Sequence, residues 1–550
     1  MREILNDWRL HWFVLLLPVA LFLPAMPIDE TRYLSVAWEM HFSDDYLVPH
    51  LNGATYSDKP ILLFWMINFA WLFVGMQVWI VRLGVLVASL GSLVLFELLV
   101  RKLDSDIALA RRAVILLSGI LFFALFSSAI MFDVLLTTCV LIALHGVLDL
   151  DAQQWRRGTA VFALGIGLGI LAKGPVVLLH AGLVAVLAPW WSTTAREQKA
   201  RWYRMVLLGM LGGALIGLAW AVPAAIYGGK EYAYKIFLGQ TVGRVAHSFA
   251  HARPLWWYFI VLPLMLLPWP LSVRAPWRAW RNSLAASKGA RFAFAWFVPA
   301  FIVFCLVSGK QPQYLLPLLP ALALYLATVL GKADAYLRGH CFGGLLLVVG
   351  VILFVLPYLA AHADTLAWMD TLAREGNQSS ARAVIAGIWP LWGALLFLLG
   401  AFLLAHPRAY ARVPAVALVS SAAAMLSMLA IAQGVGPTVD VSGTAARIRA
   451  MQDAGQPIAH LAWHHGLFEF SGRLTKPLEK VDFADLYTWC AAHPDGEVLS
   501  IYTKYPIAAK PELEIPYRFG RILFWRAADL CAAPRAAPPI KPDDDDTSDD

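Results

Sequence analysis

The sequence predicts an all-α polytopic membrane protein that ends in a small extracytoplasmic α/β domain. Three observations predict it. Hydrophobic residues make up 59% of the 550 residues and charged ones only 15%, far from the balance of soluble domains. Long apolar segments recur along most of the chain, and the basic residues between them fall in alternate loops. Past about Gly434 the apolar runs shorten and strand-like pieces appear.

A helix needs roughly 17–25 apolar residues to cross a bilayer. Segments of that kind occupy 10–27, 78–99, 113–131, 134–150, 158–172, 174–191, 206–227, 255–273, 292–308, 314–331, 342–360, 384–405 and 412–432, about thirteen spans by this criterion. The first is followed by Asp29-Glu30-Thr31-Arg32 rather than a small-residue cleavage site, so it reads as a retained span. The loops with Arg101, Arg111, Arg156, Arg201, Arg278, Arg338 and Arg408 all share the side of Arg2 and Arg9. The positive-inside rule makes that side cytoplasmic. Topology therefore accounts for the net charge of +7, and nucleic acid is not an expected partner. The stretch Ile61–Gly75 is short for a span, and counting it would invert every later loop; a juxtamembrane or re-entrant helix on the outer side is expected.

These limits give a transmembrane domain over 1–433 with a first outer loop at 28–77, an extracytoplasmic α/β domain over 434–533 and a disordered acidic tail over 534–550. In the α/β domain, strands are expected at His460–Trp463, Glu497–Tyr502 and Arg521–Arg526, and a helix near Phe483–Ala492. The five cysteines have no metal-ligand spacing. Cys490 and Cys531 would form a disulfide if the tail domain lies in an oxidising compartment; the sequence leaves this open.

The unusual polar residues collect on the outer side. Charge at a membrane edge is costly enough that clusters usually serve a purpose. Asp29, Glu30, Arg32 and Tyr33 follow the first span directly; they fit a carboxylate poised as a base, and equally an ion-paired helix start. Next come His50, Asn52-Gly53 and Tyr56-Ser57-Asp58-Lys59-Pro60, where Lys59 opens an apolar helix and suits a phosphate or a lipid headgroup. Asp133 and Lys173 sit at outer turns between spans. Arg244, His247 and His251 share a later outer loop, and Lys310 and Tyr314 a polar outer turn. Cations with nearby carboxylates on one membrane face suit a lipid-anchored phosphate whose departure is stabilised during group transfer. A transporter is the competing class, but its charges belong near the midplane and its repeats in the sequence.

The order Asp-Glu-x-Arg-Tyr, Pro-x-x-Asn-Gly, Tyr-x-x-Lys-Pro, then Leu171-Ala172-Lys173-Gly174-Pro175, Trp257-Tyr258, Gly309-Lys310 and Tyr314-Leu315-Leu316-Pro317 resembles the aminoarabinose (4-amino-4-deoxy-L-arabinose) lipid A transferases. These stand with the protein mannosyltransferases among the GT-C glycosyltransferases. The resemblance implies a monomeric bacterial inner-membrane enzyme with a periplasmic active site and a cytoplasmic N-terminus. Such an enzyme transfers a sugar with inversion from undecaprenyl phosphate to lipid A. Mannosyl or hexosyl transfer to protein or another glycolipid is the alternative. It implies Asp29 and Asp133 as catalytic carboxylates, and Lys59 with Arg244 as the grip on the donor phosphate. Relatives commonly carry Glu-Lys-Pro where this chain has Asp58-Lys59-Pro60, and Glu-His-x-x-Arg where it has Gln240-Thr241-Val242-Gly243-Arg244. That Glu and His are candidate ligands for a divalent metal such as zinc. A metal here would rely on Asp58 with His247 or His251.

Overall fold

A computed structural model describes residues 7–237, 252–331, 336–362, 379–406, 412–462, 464–501, 507–518 and 520–534. The principal helices are α1 (Trp8–Phe22), α2 (Asp29–Ser43), α3 (Leu62–Val74), α4 (Val78–Leu103), α5 (Ile107–Ser118), α6 (Phe132–Asp151), α7 (Trp155–Lys173), α8 (Lys199–Tyr234), α9 (Lys288–Leu306), α10 (Leu319–Leu330), α11 (His340–Ala361), α12 (Pro390–Ala405), α13 (Val413–Val439), α14 (Ser442–Asp453) and α15 (Leu486–Ala492). Among the described residues, eight helices are long and apolar enough to cross a membrane: α4, α6, α7, α8, α9, α10 with its leading 3-10 turn, α11 and α13. Helices α1, α3 and α12 are apolar but shorter.

Several expected spans are broken rather than continuous, and local chemistry explains the breaks. The segment 113–131 stops at Ser118 and restarts as a short helix at Leu121–Phe126. Between them Gly119 lies so close to Ala417 that an added Cβ would come within 2.6 Å of its backbone. The segment 174–191 splits into a 3-10 turn at Gly174–Val176, a π turn at Leu178–Gly182 and two four-residue helices. Pro175 and Pro189 withhold backbone donors there. The segment 255–273 divides into Trp257–Met265 and Trp269–Ser272 around Pro268. Ile61–Gly75 is helical over only 13 residues.

The chain separates into two compact units. One comprises Met1–Leu23, Ser57–Val351 and Ala394–Leu429; the other comprises Pro24–Tyr56, Ile352–Gly393 and Ala430–Asp550. In the first unit α6 and α7 pack at very short range. A Cβ on Gly165 would lie 2.2 Å from Ala143 N, and one on Gly146 2.3 Å from Phe162 N. Small residues let membrane helices approach this closely.

In the second unit, β1 (His50–Leu51) and β2 (Ala54–Thr55) form a hairpin. A five-stranded sheet contains β3 (Ile458–Leu461), β4 (Glu479–Val481), β5 (Glu497–Ile501), β6 (Leu513–Tyr517) and β7 (Gly520–Arg526), ordered β4-β3-β5-β7-β6. The β3–β4 and β3–β5 pairs are parallel, and β5–β7 and β6–β7 antiparallel. Strands β4 and β6 escape the sequence pattern because they are short and half exposed, and β6 holds Pro516. Helix α2 is packed into this unit: Thr31 to Met40 are all buried. Ser35 Oγ donates to Gly466 O at 2.7 Å and Trp38 Nε1 to Leu474 O at 2.7 Å.

Candidate functional site

In the first unit the chemistry gathers where α6 begins and α7 ends. Asp133 stands in the first turn of α6, buried at 2% exposure. Lys173 closes α7, where Gly174 turns the chain with φ of +75°. The Lys173 ammonium donates to Asp133 Oδ1 at 2.5 Å and lies 4.6 Å from the centre of the Tyr314 ring. Tyr314 comes from the 3-10 turn Pro312–Leu318. Tyr258 is close by and its hydroxyl donates to Gln311 O at 2.9 Å. A buried ion pair of this kind is held by the loss that breaking it would bring.

Beside this pair is a cavity of about 350 Å³ lined by Asp58, Lys59, Lys173, Gly217, Trp220 and Phe237, among others. Lys59, at the start of the α3 segment, and Lys173 therefore face one space whose remaining walls are largely apolar helix. Two ammonium groups, one of them paired with Asp133, stand with the Asp58 carboxylate against largely apolar walls, an arrangement that suits an anion attached to a hydrophobic body.

Lys310 plays a different part from the open cation the sequence suggests. It is 2% exposed, and its ammonium donates to the carbonyls of Arg253 at 3.0 Å, Val307, and Ser308 at 3.5 Å. Together with the Arg253 N to Ser308 O bond, this ties the turn after Val307 to the segment entering Trp257. Arg244, His247 and His251 lie outside the described residues.

In the second unit Asp29 opens α2, and its carboxylate suits the positive end of the helix. Asp29 Oδ1 accepts from Arg32 Nη2 at 2.8 Å and from the Tyr33 hydroxyl at 3.1 Å. Arg32 is buried while Asp29 keeps a third of its side chain exposed. Burial disfavours the Arg32 charge, but Tyr56, Tyr33 and Asp29 outweigh it and hold its pKa above the ordinary value. The result is an exposed carboxylate fixed in direction by two buried donors, the form a general base or an acceptor-orienting group takes. Glu30 is turned inward instead: its Oε2 accepts from Met26 N at 2.7 Å and ties the segment before α2 to its first turn.

Asn52 pins the hairpin to the C-terminal region. Its Nδ2 donates to Leu478 O at 2.8 Å and its Oδ1 accepts from Leu478 N at 2.6 Å. Gly53, at φ +78°, leaves only 2.8 Å between an added Cβ and Pro477 Cγ, and its N–H donates to Glu39 Oε1 at 2.9 Å. His50 lies 3.9 Å from Asp45.

Sequence reasoning passed over a buried group in this unit. His464 Nδ1 is 3.3 Å from Glu469 Oε1, and the His460 and His464 rings are 5.2 Å apart. Burial pushes the Glu469 carboxyl up to about 7 and the His464 imidazole down to about 4. Burial also raises Glu39, with the Gly53 N–H working the other way. The available signal was His464-His465-Gly466 with Glu469 inside an otherwise apolar run. Among the described residues no set of three or more His, Cys, Asp and Glu side chains is arranged to hold a metal. The Cys490 thiol is pushed up to about 12, first by burial and then by the neighbouring Cys531 thiol.

Comparison with known proteins fits these features. The family model described as dolichyl-phosphate-mannose-protein mannosyltransferase matches residues 58–227. A protein of Edwardsiella ictaluri named undecaprenyl phosphate-alpha-4-amino-4-deoxy-L-arabinose arabinosyl transferase is 28% identical over 538 residues, 90% of this chain and 93% of that one. A Pseudomonas aeruginosa protein of the same name is 30% identical over 351 residues, 60% of each chain. The crystal structure of ArnT from Cupriavidus metallidurans bound to undecaprenyl phosphate shares the fold, with a TM-score of 0.73, 18% identity, and coverage of 96% of this chain and 97% of that one. The chain is a multi-pass inner-membrane glycosyltransferase, similar along most of its length to the aminoarabinose arabinosyl transferases and over residues 58–227 to the protein mannosyltransferases.

Proposed function

We propose that the protein transfers 4-amino-4-deoxy-L-arabinose from undecaprenyl phosphate to a phosphate of lipid A on the periplasmic face of the inner membrane. The observation that carries this reading is the cavity of about 350 Å³ with Lys59 and Lys173 set among apolar walls. A polyprenyl phosphate offers the matching chemistry, an anionic head on a hydrophobic tail. The arabinosyl transferases of Edwardsiella and Pseudomonas supply the sugar and the lipid carrier by likeness.

In this reading residues 1–433 form the transmembrane catalytic domain, and 434–533 a periplasmic domain. The acceptor oxygen attacks the anomeric carbon from the face opposite the donor phosphate. The anomeric C–O bond breaks with its electron pair going to that phosphate, so the configuration inverts. Lys59 and Arg244 stabilise the charge that develops on the departing undecaprenyl phosphate. A lipid A phosphate is already ionised at neutral pH, so Asp29 orients it and takes any remaining proton. Asp133 works through Lys173: the ion pair sets the ammonium that faces the cavity.

Substitution tests the reading directly. Asp29→Asn and Arg244→Ala, each checked for monodisperse extraction from membranes, are expected to lower transfer by on the order of 10²–10³ or more. Mass spectrometry of lipid A from cells expressing each variant reads the product. Wild-type levels of the modified lipid would remove the role assigned to that residue. An added mass other than a pentosamine would remove the assigned sugar.

A further inference from the structure

A second cavity, of about 400 Å³, lies at the opposite end of the first unit's helices, lined by residues of α1, α5 and α13. Helix α4 runs from Val78, following the Lys59 segment, to Leu103, just before α5. The cavity therefore sits at the end marked by the basic loops, away from Asp133 and Lys173. Its size is within the range of small-ligand sites, roughly 300–1,000 Å³.

Three features point to its ligand. Arg111 and Arg112, in the first turns of α5, line it; one is exposed and the other half-buried. Guanidinium groups present paired N–H donors that match phosphate geometry. Trp12 also lines it, 4% exposed, and its indole N–H has no acceptor among the described residues. Buried donors of this kind normally find a partner. The remaining wall includes Trp8, Leu15, Ile115 and Leu418, which suit an acyl chain and not a free ion. The wall's serines are engaged within the protein: Ser421 Oγ donates to Ser118 O, and Ser118 Oγ to Ile115 O, both at 2.9 Å.

We propose that this cavity binds the phosphate headgroup of an anionic phospholipid of the cytoplasmic leaflet, with Arg111 and Arg112 on the phosphate and the Trp12 N–H on a phosphate or ester oxygen. Basic cavities between membrane helices on the positively charged side take such headgroups. The site is separate from the donor cavity and does not depend on which sugar is transferred.

The test uses the full chain in nanodiscs. Phosphatidylglycerol is expected to raise the thermal midpoint relative to phosphatidylcholine, and native mass spectrometry should find it retained after detergent exchange. A photoreactive phosphatidylglycerol should crosslink to peptides of α1, α5 or α13. Arg111→Gln with Arg112→Gln is expected to lower retention roughly tenfold or more, and Trp12→Phe to lower it severalfold while keeping the packing. Trp12→Phe carries the test should the double variant fail to fold. Unchanged retention in the folded variants, or crosslinks only elsewhere, would overturn the proposal. A midpoint raised equally by inorganic phosphate would also overturn it, because the ligand would then be a soluble anion.

Discussion

Asp29 and Glu30 are adjacent carboxylates with opposite fates, and the difference arises from where a helix places consecutive side chains. Residues one apart point about 100° apart around the axis. Asp29 therefore meets Arg32 and Tyr33, three and four residues on, while Glu30 turns back to the Met26 N–H. The composition of the pair could not tell the part-exposed carboxylate from the one turned inward; three-residue and four-residue spacing could. Glu469 behaves differently again. Its folded pKa, about 7, lies above the ordinary carboxyl value because it is buried. The folded state therefore binds its proton more tightly than the unfolded chain. The stability this group contributes is full below the ordinary carboxyl range and is lost as pH rises through about 7. His464, lowered to about 4, acts in the opposite sense: its contribution is present above the ordinary imidazole range and is lost as pH falls toward 4. Glu469→Gln is thus expected to unfold at a higher temperature than wild type at pH 8 and to lose that advantage at pH 5. Thermal unfolding at the two pH values checks this, and a difference independent of pH would contradict it.

At the scale of elements, the α6–α7 contact decides the geometry of the Asp133–Lys173 pair. The two residues lie at adjoining ends of helices whose backbones touch through Gly146, Gly158 and Gly165. A methyl group at Gly165 has no space, so Gly165→Ala must push the helices apart or tilt them. Overpacking of this kind costs about 1–3 kcal/mol. The expected outcome is a lower thermal midpoint with reduced transfer activity, although the residue is far along α7 from Lys173. Gly84→Ala serves as the control, because nothing lies within 4 Å of a Cβ there. Equal effects of the two substitutions would dismiss the close contact as the cause. The broken segments follow the same logic. Hydropathy averages over a window and reads 174–191 as one span, whereas Pro175 and the turns near it divide it.

At the scale of the whole molecule, packing gathers segments that are far apart in the sequence. Pro24–Tyr56 groups with Ile352–Gly393 and Ala430–Asp550; α2 is held there by Ser35 and Trp38, and the hairpin after it by Asn52. A chain ending at residue 433 is therefore expected to leave α2 exposed. Transfer should be lost even though Asp29, Asp133, Lys59 and Arg244 are all retained. Limited proteolysis should cut the truncated protein between 28 and 56 far faster than the full chain. Protection equal to the full chain would show that α2 is ordered by other parts.

The membrane class and the α/β character of the tail were legible in the sequence alone. Each depends on local composition and periodicity, which hydrophobic transfer and helix geometry read directly. The resemblance to the transferases was legible for the same reason, since its motifs are short and contiguous. The partners of the polar residues emerge only in the folded chain. It placed Lys173 on Asp133 and enclosed Lys310 in backbone carbonyls. It also used Asn52 as a pin and set His464 beside Glu469 within the unit that holds α2. The Lys173, Lys310 and Asn52 outcomes depend on partners far along the chain: 40 residues for Lys173 and Asp133, 57 for Lys310 and Arg253, and 426 for Asn52 and Leu478. No local pattern encodes such a distance; it is fixed when the buried polar groups of the folded chain find their donors and acceptors.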